Sequence, residues 1–405
     1  MDYSQLSKEL TNKLSKTLKK NGGIYFTPPS IIAENIKLLE PYMNTISNVL
    51  EPSCGSCEFI NALINNYKHL KITGLELNNT IYESIKELGS ANVKLYNSDY
   101  LKYDNSETCE TYDLIIGNPP YFVMKKEDVA KSYYKYFEGR PNIFILFIIK
   151  SIKLINENGI ISFVLPKNFL NCLYYDKTRK YINAHFQILN IVECVNSKYI
   201  ETQQATILLI IRKMGSNVIN NEDYILERSN YTIFATKSNC AKLKTLLLNS
   251  RSLEELGFKV GIGSVVWNQC KDLLTNDASK TRLIYSSSIE NNDLCLQSSN
   301  NSDKKNYITK KGVIGPMIVV NRGYGVGNYK FNYCLINENY EYLLENHLIT
   351  IEYIKELPRE ELINLYKKII TSLKHSNTLE FVAIYFGNNA INSTELSKIL
   401  PIYYN

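Results

Sequence analysis

Residues 113 to 121 read Asp113-Leu114-Ile115-Ile116-Gly117-Asn118-Pro119-Pro120-Tyr121. The apolar half of this stretch has the make-up of a buried strand, and the polar half has that of the loop leaving it. Proline has no backbone N–H, so Pro119 and Pro120 cannot continue a ladder, and they hold the preceding backbone extended. Open α/β sheets bind ligands at the carboxyl ends of their strands. A stiff loop there, with exposed carbonyls, one side-chain amide and one flat ring, suits gripping an exocyclic amino group on a planar heterocycle. Pro-Pro also serves as a plain strand terminator, so the flanking sequence has to decide.

Outward from this point, short apolar runs alternate with helical stretches. The strands expected are Ser47–Leu50, Lys71–Leu75, Val93–Tyr96, Leu114–Gly117, Ile160–Leu165, Ile188–Val192 and Thr206–Ile211. Helices are expected near Ile31–Leu39, Cys57–Tyr67, Thr80–Leu88, Phe144–Ile155 and Lys177–Ala184. Such alternation predicts an α/β fold with a doubly wound, mostly parallel seven-stranded sheet. No long helix separates the last two runs, which predicts an antiparallel pair at one edge. The polar segment from Lys213 to Asp223 reads as a linker. It divides the chain into a catalytic domain, 1–222, and a C-terminal α+β domain, 223–405.

Composition sets the bounds. A chain of 405 residues, 44% hydrophobic and 21% charged, is long enough for two cored domains. It has no 18-residue apolar stretch, and its first residues, MDYSQLSKEL, lack an apolar signal core. Secretion and membrane spanning are therefore not expected. Nine cysteines, an odd number at irregular spacing, fit the reduced thiols of a cytoplasmic protein. The net charge of +6 is unevenly spread: Arg228 to Lys330 holds 15 Lys/Arg against 7 Asp/Glu, a net of +8. That band is the footprint of a polyanion-binding surface or of a solvated lysine-rich face.

Carboxylates track the strand ends. Glu51-Pro52-Ser53-Cys54-Gly55-Ser56-Cys57 closes the first strand and opens a helix. Small residues there let a ligand approach the helix N-terminus, while the leading acid disfavours a pyrophosphate and suits a cationic or hydroxyl-bearing cofactor. Glu76 ends the second strand, placed to accept hydrogen bonds from ribose hydroxyls. Asp99 comes after the third, where it can accept from an adenine amino group. Cys54 and Cys57 have metal-like spacing, but no second pair completes four ligands, so no metal is expected.

In this order the residues resemble the gamma group of DNA adenine-N6 methyltransferases, enzymes of type II restriction–modification systems that use S-adenosyl-L-methionine. Gly23-Ile24-Tyr25-Phe26-Thr27-Pro28 is similar to the group's N-terminal motif, which lies against the methionine part of the cofactor. Glu51-Pro52 with Gly55 matches the turn that contacts the same moiety. The resemblance implies a cofactor set of Tyr25, Thr27, Pro28, Glu51, Ser53, Gly55, Glu76, Asp99 and Asn118. It implies a catalytic set of Asn118, Pro119, Pro120 and Tyr121. The segment from Ser197 through Tyr199 to Ile210 resembles a later motif whose aromatic faces the target base. Tyr121 and Tyr199 would then stack on an adenine flipped out of double-stranded DNA, the alternative at either site being core filler. Cys57 departs from the group, which usually has glycine there; a Cβ at that point is expected to crowd the cofactor.

The Asn118 oxygen and the Pro119 carbonyl can accept from the two N6 hydrogens and aim the nitrogen lone pair at a methyl donor. No strong base is needed, so His69, His185, His347 and His375 are read as structural. The C-terminal part, through Val260 to Asn268 and Glu345 to Leu348, resembles a branch that includes methylases of the site CTGCAG. Lys304, Lys305, Lys310, Lys311 and Arg322 are its candidate DNA contacts, and Trp267 reads as a packing anchor. The implied partner protein is a cognate restriction endonuclease, and a monomer is expected. The alternatives are a methyltransferase acting on RNA or a protein glutamine amide through the same motif, and a catalytically silent DNA-binding subunit.

Overall fold

The computed structural model describes residues 2–103, 111–195, 199–202, 204–215, 219–296, 303–323, 330–386 and 390–404. Ser197, Lys198 and Gln203 of the later motif, residues 216–218 of the expected linker and residues 324–327 of a glycine cluster lie outside them. The chain divides into two units, Met1–Cys240 and Ala241–Asn405.

The first unit begins with two short helices, α1 (Gln5–Lys13) and α2 (Lys16–Gly22), each capped by a serine. Ser4 accepts from the Ser7 amide and Ser15 from the Leu18 amide, which satisfies donors that a helix start leaves free. Then come α3 (Pro29–Leu39), β1 (Asn48–Glu51), α4 (Glu58–Asn66), β2 (Lys71–Glu76), α5 (Asn79–Ile85), β3 (Val93–Asn97) and β4 (Tyr112–Gly117). The unit continues with α6 (Ile143–Leu154), β5 (Ile155–Pro166), α7 (Asp176–His185), β6 (Phe186–Glu193), β7 (Thr206–Lys213), β8 (Ile225–Arg228) and β9 (Tyr231–Phe234).

Seven of these strands form one sheet in the order β3-β2-β1-β4-β5-β7-β6. The first five are parallel, and β7 runs antiparallel to both β5 and β6. The expected doubly wound sheet is thus present, with its antiparallel strand next to the edge. Successive side chains alternate faces, so Leu114 and Ile116 join one core while Ile115 joins the other. Helices cover both faces, which is why the strands read as continuous apolar runs rather than alternating ones. Helix α6, buried along nearly its whole length, is apolar all round for the same reason. Among the described residues no helix is long and apolar enough to cross a membrane.

The division at 240/241 falls later than the expected 222/223. The β8–β9 hairpin packs with the first unit because fully buried Arg179 on α7 donates to the carbonyls of Thr232, Phe169 and Cys172. Asp176, also on α7, accepts from the Thr232 amide at 2.8 Å.

After α8 (Lys237–Leu247), the second unit combines sheets with helices, as an α+β domain does. Its strands are β10 (Phe258–Ile262), β11 (Leu274–Thr275), β12 (Thr281–Ile284), β13 (Ile289–Glu290), β14 (Asp293–Leu294), β15 (Tyr307–Ile308), β16 (Met317–Asn321), β17 (Asn332–Ile336), β18 (Tyr342–Leu344) and β19 (Leu348–Tyr353). One sheet has the order β10-β19-β16-β17, another β11-β15-β12-β18. Helices α9 (Arg359–Leu373), α10 (Ser376–Tyr385) and α11 (Ser393–Lys398) complete it.

Candidate active site

Four adjacent parallel strands end at one edge of the sheet, and the chain leaving them lines a cavity of about 430 Å3. From β1 come Pro52, Ser53 and Gly55; from β2, Glu76 and Asn78; from β3, Ser98 and Asp99; from β4, Asn118 and Pro120. The loop after α2 adds Gly23, Tyr25 and Phe26, and apolar side chains from Phe122, Ile143 and Phe147 close the wall. Carboxylates beside aromatic and aliphatic surface fit a cationic, ribose-bearing molecule.

Gly23 has a left-handed backbone, φ +62°, at the end of α2. A Cβ there would stand 2.7 Å from the Tyr121 amide nitrogen, so only glycine lets this loop approach the Asn118–Tyr121 segment so closely. Asn118 is held from three sides. Its amide nitrogen donates to the Tyr25 carbonyl at 3.2 Å, its Oδ1 accepts from the Tyr121 hydroxyl at 2.6 Å, and its own carbonyl accepts from Ser53 Oγ at 3.2 Å.

Of the residues expected to hold the cofactor, Tyr25, Ser53, Gly55, Glu76, Asp99 and Asn118 line the cavity. Thr27, Pro28 and Glu51 are buried and stand outside its lining. Glu76 accepts from the Gly55 amide at 3.0 Å and the Asn78 amide at 2.6 Å, and burial nonetheless lifts its carboxyl above the usual range. Glu51 is lifted well above, chiefly by burial, and its Oε2 has no hydrogen-bond partner among the described residues. A buried acid left short of donors suits an incoming cation. Asp99 Oδ1 accepts from the Leu101 amide at 3.0 Å.

Tyr121 and Tyr199, the two rings expected to stack on the target base, are both partly buried. The Tyr121 ring packs edge-on against Phe144, with centroids 6.1 Å apart, and its single hydroxyl proton is shared between Asn118 Oδ1 and the Val164 carbonyl, 2.8 Å away. It does not line the cavity. Burial raises its phenol well above the usual value, and nearby Tyr199 adds to the rise. Tyr199 is half-buried, packs against the core on the α3–α4 face and shares a 3.3 Å hydrogen bond with Thr206 Oγ1. Cys57 is fully buried, stands outside the cavity lining and has φ +62°. Glycine is favoured at such a position by its backbone, not by room for a ligand. Motif reading did not find Phe122, Ile143 and Phe147, because apolar lining leaves no spacing signal, nor Asn78, which belongs to no motif.

In the second unit the basic candidates separate. Lys304 is enclosed, 4.6 Å above the Tyr285 ring, 5.1 Å from the Trp267 ring and 3.5 Å from Glu345 Oε1. The Lys305 carbonyl accepts from the Tyr285 hydroxyl, and Arg322 is half-buried just beyond β16. Lys310 and Lys311 are exposed. Trp267 packs against the Val265, Cys270, Leu283, Tyr285 and Ile308 cluster. No cluster of three or more His, Cys, Asp or Glu among the described residues is arranged to hold a metal.

The seven-stranded sheet thus carries its antiparallel β7 next to one edge and its cavity at the carboxyl ends of the parallel strands. Residues 1–200, most of the first unit, match the family described as Eco57I restriction-modification methylase. The chain is 27% identical over 355 residues to the type II methyltransferase M.CvrRI of Paramecium bursaria Chlorella virus XZ-6E, covering 86% of this chain and 88% of the relative. It is 25% identical to modification methylase CviBIII of Paramecium bursaria Chlorella virus NC1A, covering 99% of both. A solved DrdV–DNA complex matches 95% of this chain and 57% of its own, with TM-score 0.55 at 12% identity.

Proposed function

We propose that the protein is a site-specific DNA methyltransferase that moves the methyl group of S-adenosylmethionine to N6 of an adenine flipped out of double-stranded DNA. The observation that carries this reading is the fixed Asn118 amide at the mouth of a carboxylate-bearing cavity, on a loop that two prolines stiffen. Similarity to type II methyltransferases along nearly the whole chain supports DNA as the substrate, as the modification half of a restriction–modification pair.

The bound cofactor supplies an electrophilic methyl group on a sulfonium. Glu76 would hold the ribose hydroxyls, Asp99 the adenine amino group of the cofactor, and Glu51 would face its positive end from behind Ser53 and Gly55. The target amino group is a poor nucleophile because its lone pair is delocalised into the ring. Asn118 Oδ1 and the Pro119 carbonyl would accept its two hydrogens, drawing the nitrogen toward tetrahedral geometry. The rate then comes from positioning and from stabilising charge growing on nitrogen, and the surplus proton leaves to water. Flipping costs about a few kcal/mol, which contacts to the extruded base must offset.

The test is transfer of labelled methyl groups to genomic duplex DNA by wild type and Asn118→Ala, followed by sequencing that detects N6-methyladenine. Wild type should label DNA at adenines within one sequence, and the variant should bind cofactor normally while transferring nothing. Label entering RNA or a protein amide instead would overturn the DNA reading, and an active variant would overturn the role of Asn118.

A further inference from the structure

The β11-β15-β12-β18 sheet of the second unit carries a cavity of about 790 Å3 whose lining is strongly basic. Lys280 and Arg282 flank the start of β12, while Lys310 and Lys311 come just after β15. Among the described residues none of these four forms an ion pair within 4 Å. The one acid in the lining, Glu341, accepts through Oε2 from the Gly312 amide at 2.9 Å and from Thr281 Oγ1 at 3.2 Å, feels Lys311 nearby, and offsets one of the four positive charges. Like charges gathered in a concavity repel one another, and the repulsion is relieved when an anion enters.

The cavity is prepared as well as charged. The Arg282 guanidinium lies 5.0 Å over the Tyr307 ring and donates to the Tyr307 hydroxyl at 3.1 Å, which fixes its plane. Its Nε–H is buried with no hydrogen-bond partner among the described residues. Tyr340 lies exposed at the rim. The three lysines are exposed point charges on flexible stems, able to track a row of phosphates but unsuited to the two-pronged contacts that read a base edge.

We propose that this cleft grips the phosphodiester backbone of the DNA duplex, positioning it by charge without reading its sequence. The inference rests on the DNA reading above. It assigns Lys280 and Arg282 a role beside Lys310 and Lys311, and it removes Lys304 from the DNA contacts.

The test is fluorescence anisotropy of full-length protein on two labelled duplexes, one with and one without the methylated sequence, across a salt series. The variant carries Lys280→Gln, Lys310→Gln and Lys311→Gln together; Arg282 is left in place because it is stacked. Each lost phosphate contact lowers the slope of log K against log salt by about 0.9, so the slope should fall by about 2 to 3. Affinity should drop by the same factor on both duplexes, cofactor affinity and melting temperature should not change, and Lys→Arg at all three positions should restore the slope. An unchanged slope, or a loss confined to the cognate duplex, overturns the cleft. If wild type itself shows no salt-dependent duplex binding, or prefers RNA, the DNA reading has failed instead.

Discussion

The Tyr121 hydroxyl donates to Asn118 Oδ1 across 2.6 Å, so the amide oxygen proposed to receive the substrate amino group already holds one donor. An amide oxygen has two lone pairs, and the second stays available to a base. The phenol therefore orients the amide and also competes for it. Tyr121→Phe keeps the ring and removes the competitor. Methyl transfer by this variant should stay within about fivefold of wild type, since one neutral hydrogen bond contributes only about 1 kcal/mol. Tyr121→Ala removes the ring against Phe144 as well and should lose activity by about a hundredfold or more. Single-turnover rates on duplex DNA separate the two. If the Phe variant falls as far as the Ala variant, the hydroxyl and not the ring is what the reaction needs.

Cys57 caps α4 in a left-handed conformation, which costs a residue bearing a Cβ about 1–2 kcal/mol. Cys57→Gly removes that strain and also a small buried side chain, so melting should shift little, by about 1 kcal/mol or less in either direction. Cys57→Val adds β-branching at positive φ and should destabilise by about 2–3 kcal/mol. Denaturant melts give both numbers. Calorimetry should find the same cofactor affinity in the Gly variant as in wild type, because Cys57 is outside the cavity lining. A markedly tighter Gly variant would mean that the side chain does crowd the cofactor.

The central strands were legible because they are apolar runs rich in isoleucine and leucine whose two faces are both covered, while edge strand β3 is largely exposed; the acids were legible because they sit where the runs stop. Helices α1 and α2 were not: both are polar and lysine-rich, and their serine caps are marked only by Ser4 and Ser15. The end of the first unit was hidden as well, since Arg179 reaches Thr232 across 53 positions and no local pattern announces a fully buried arginine. Motif order located the cavity, but the direction of the Tyr121 ring is decided by Phe144 and Val164, which belong to no motif. Lys304 shows the same limit, being indistinguishable in sequence from Lys310 until the rings around it are in place.

Glu345 is almost wholly buried, and Lys304, about one-fifth exposed, is its cationic neighbour at 3.5 Å, with His347 Nδ1 at 3.4 Å. Removing Lys304 leaves that carboxylate short of compensation and strips the cation from the Trp267 and Tyr285 rings. Lys304→Ala should therefore destabilise by about 2–3 kcal/mol, discounted from a fully buried pair because solvent reaches the lysine. Urea melts of the variant provide the check. Its salt slope for duplex DNA should equal that of wild type, and a reduced slope would return Lys304 to the DNA contacts.

Glu51 ties stability, cofactor and pH together. Burial lifts its carboxyl well above its ordinary value near 4.5, so in the absence of cofactor the folded chain holds a proton that the unfolded chain releases. The stability this contributes is complete below the unfolded value and is lost as pH rises through the folded value. Cofactor-free protein should melt progressively lower as pH rises from the ordinary value near 4.5 toward the raised folded value, by up to roughly 1.4 kcal/mol per pH unit for one such group. Glu76 is raised in the same direction and leaves a residual slope. The cofactor's positive charge favours ionised Glu51, so binding should release a proton and raise the melting temperature more at the upper end of that range. Glu51→Gln removes the titration. Its cofactor-free form should melt higher than wild type at the upper end of that range, with a shallower pH slope. Its cofactor-induced rise should be smaller and nearly independent of pH. Melting curves of both proteins with and without S-adenosylmethionine decide the matter. A variant that keeps the wild-type slope in both states would show that Glu51 neither carries the proton nor faces the cofactor's charge.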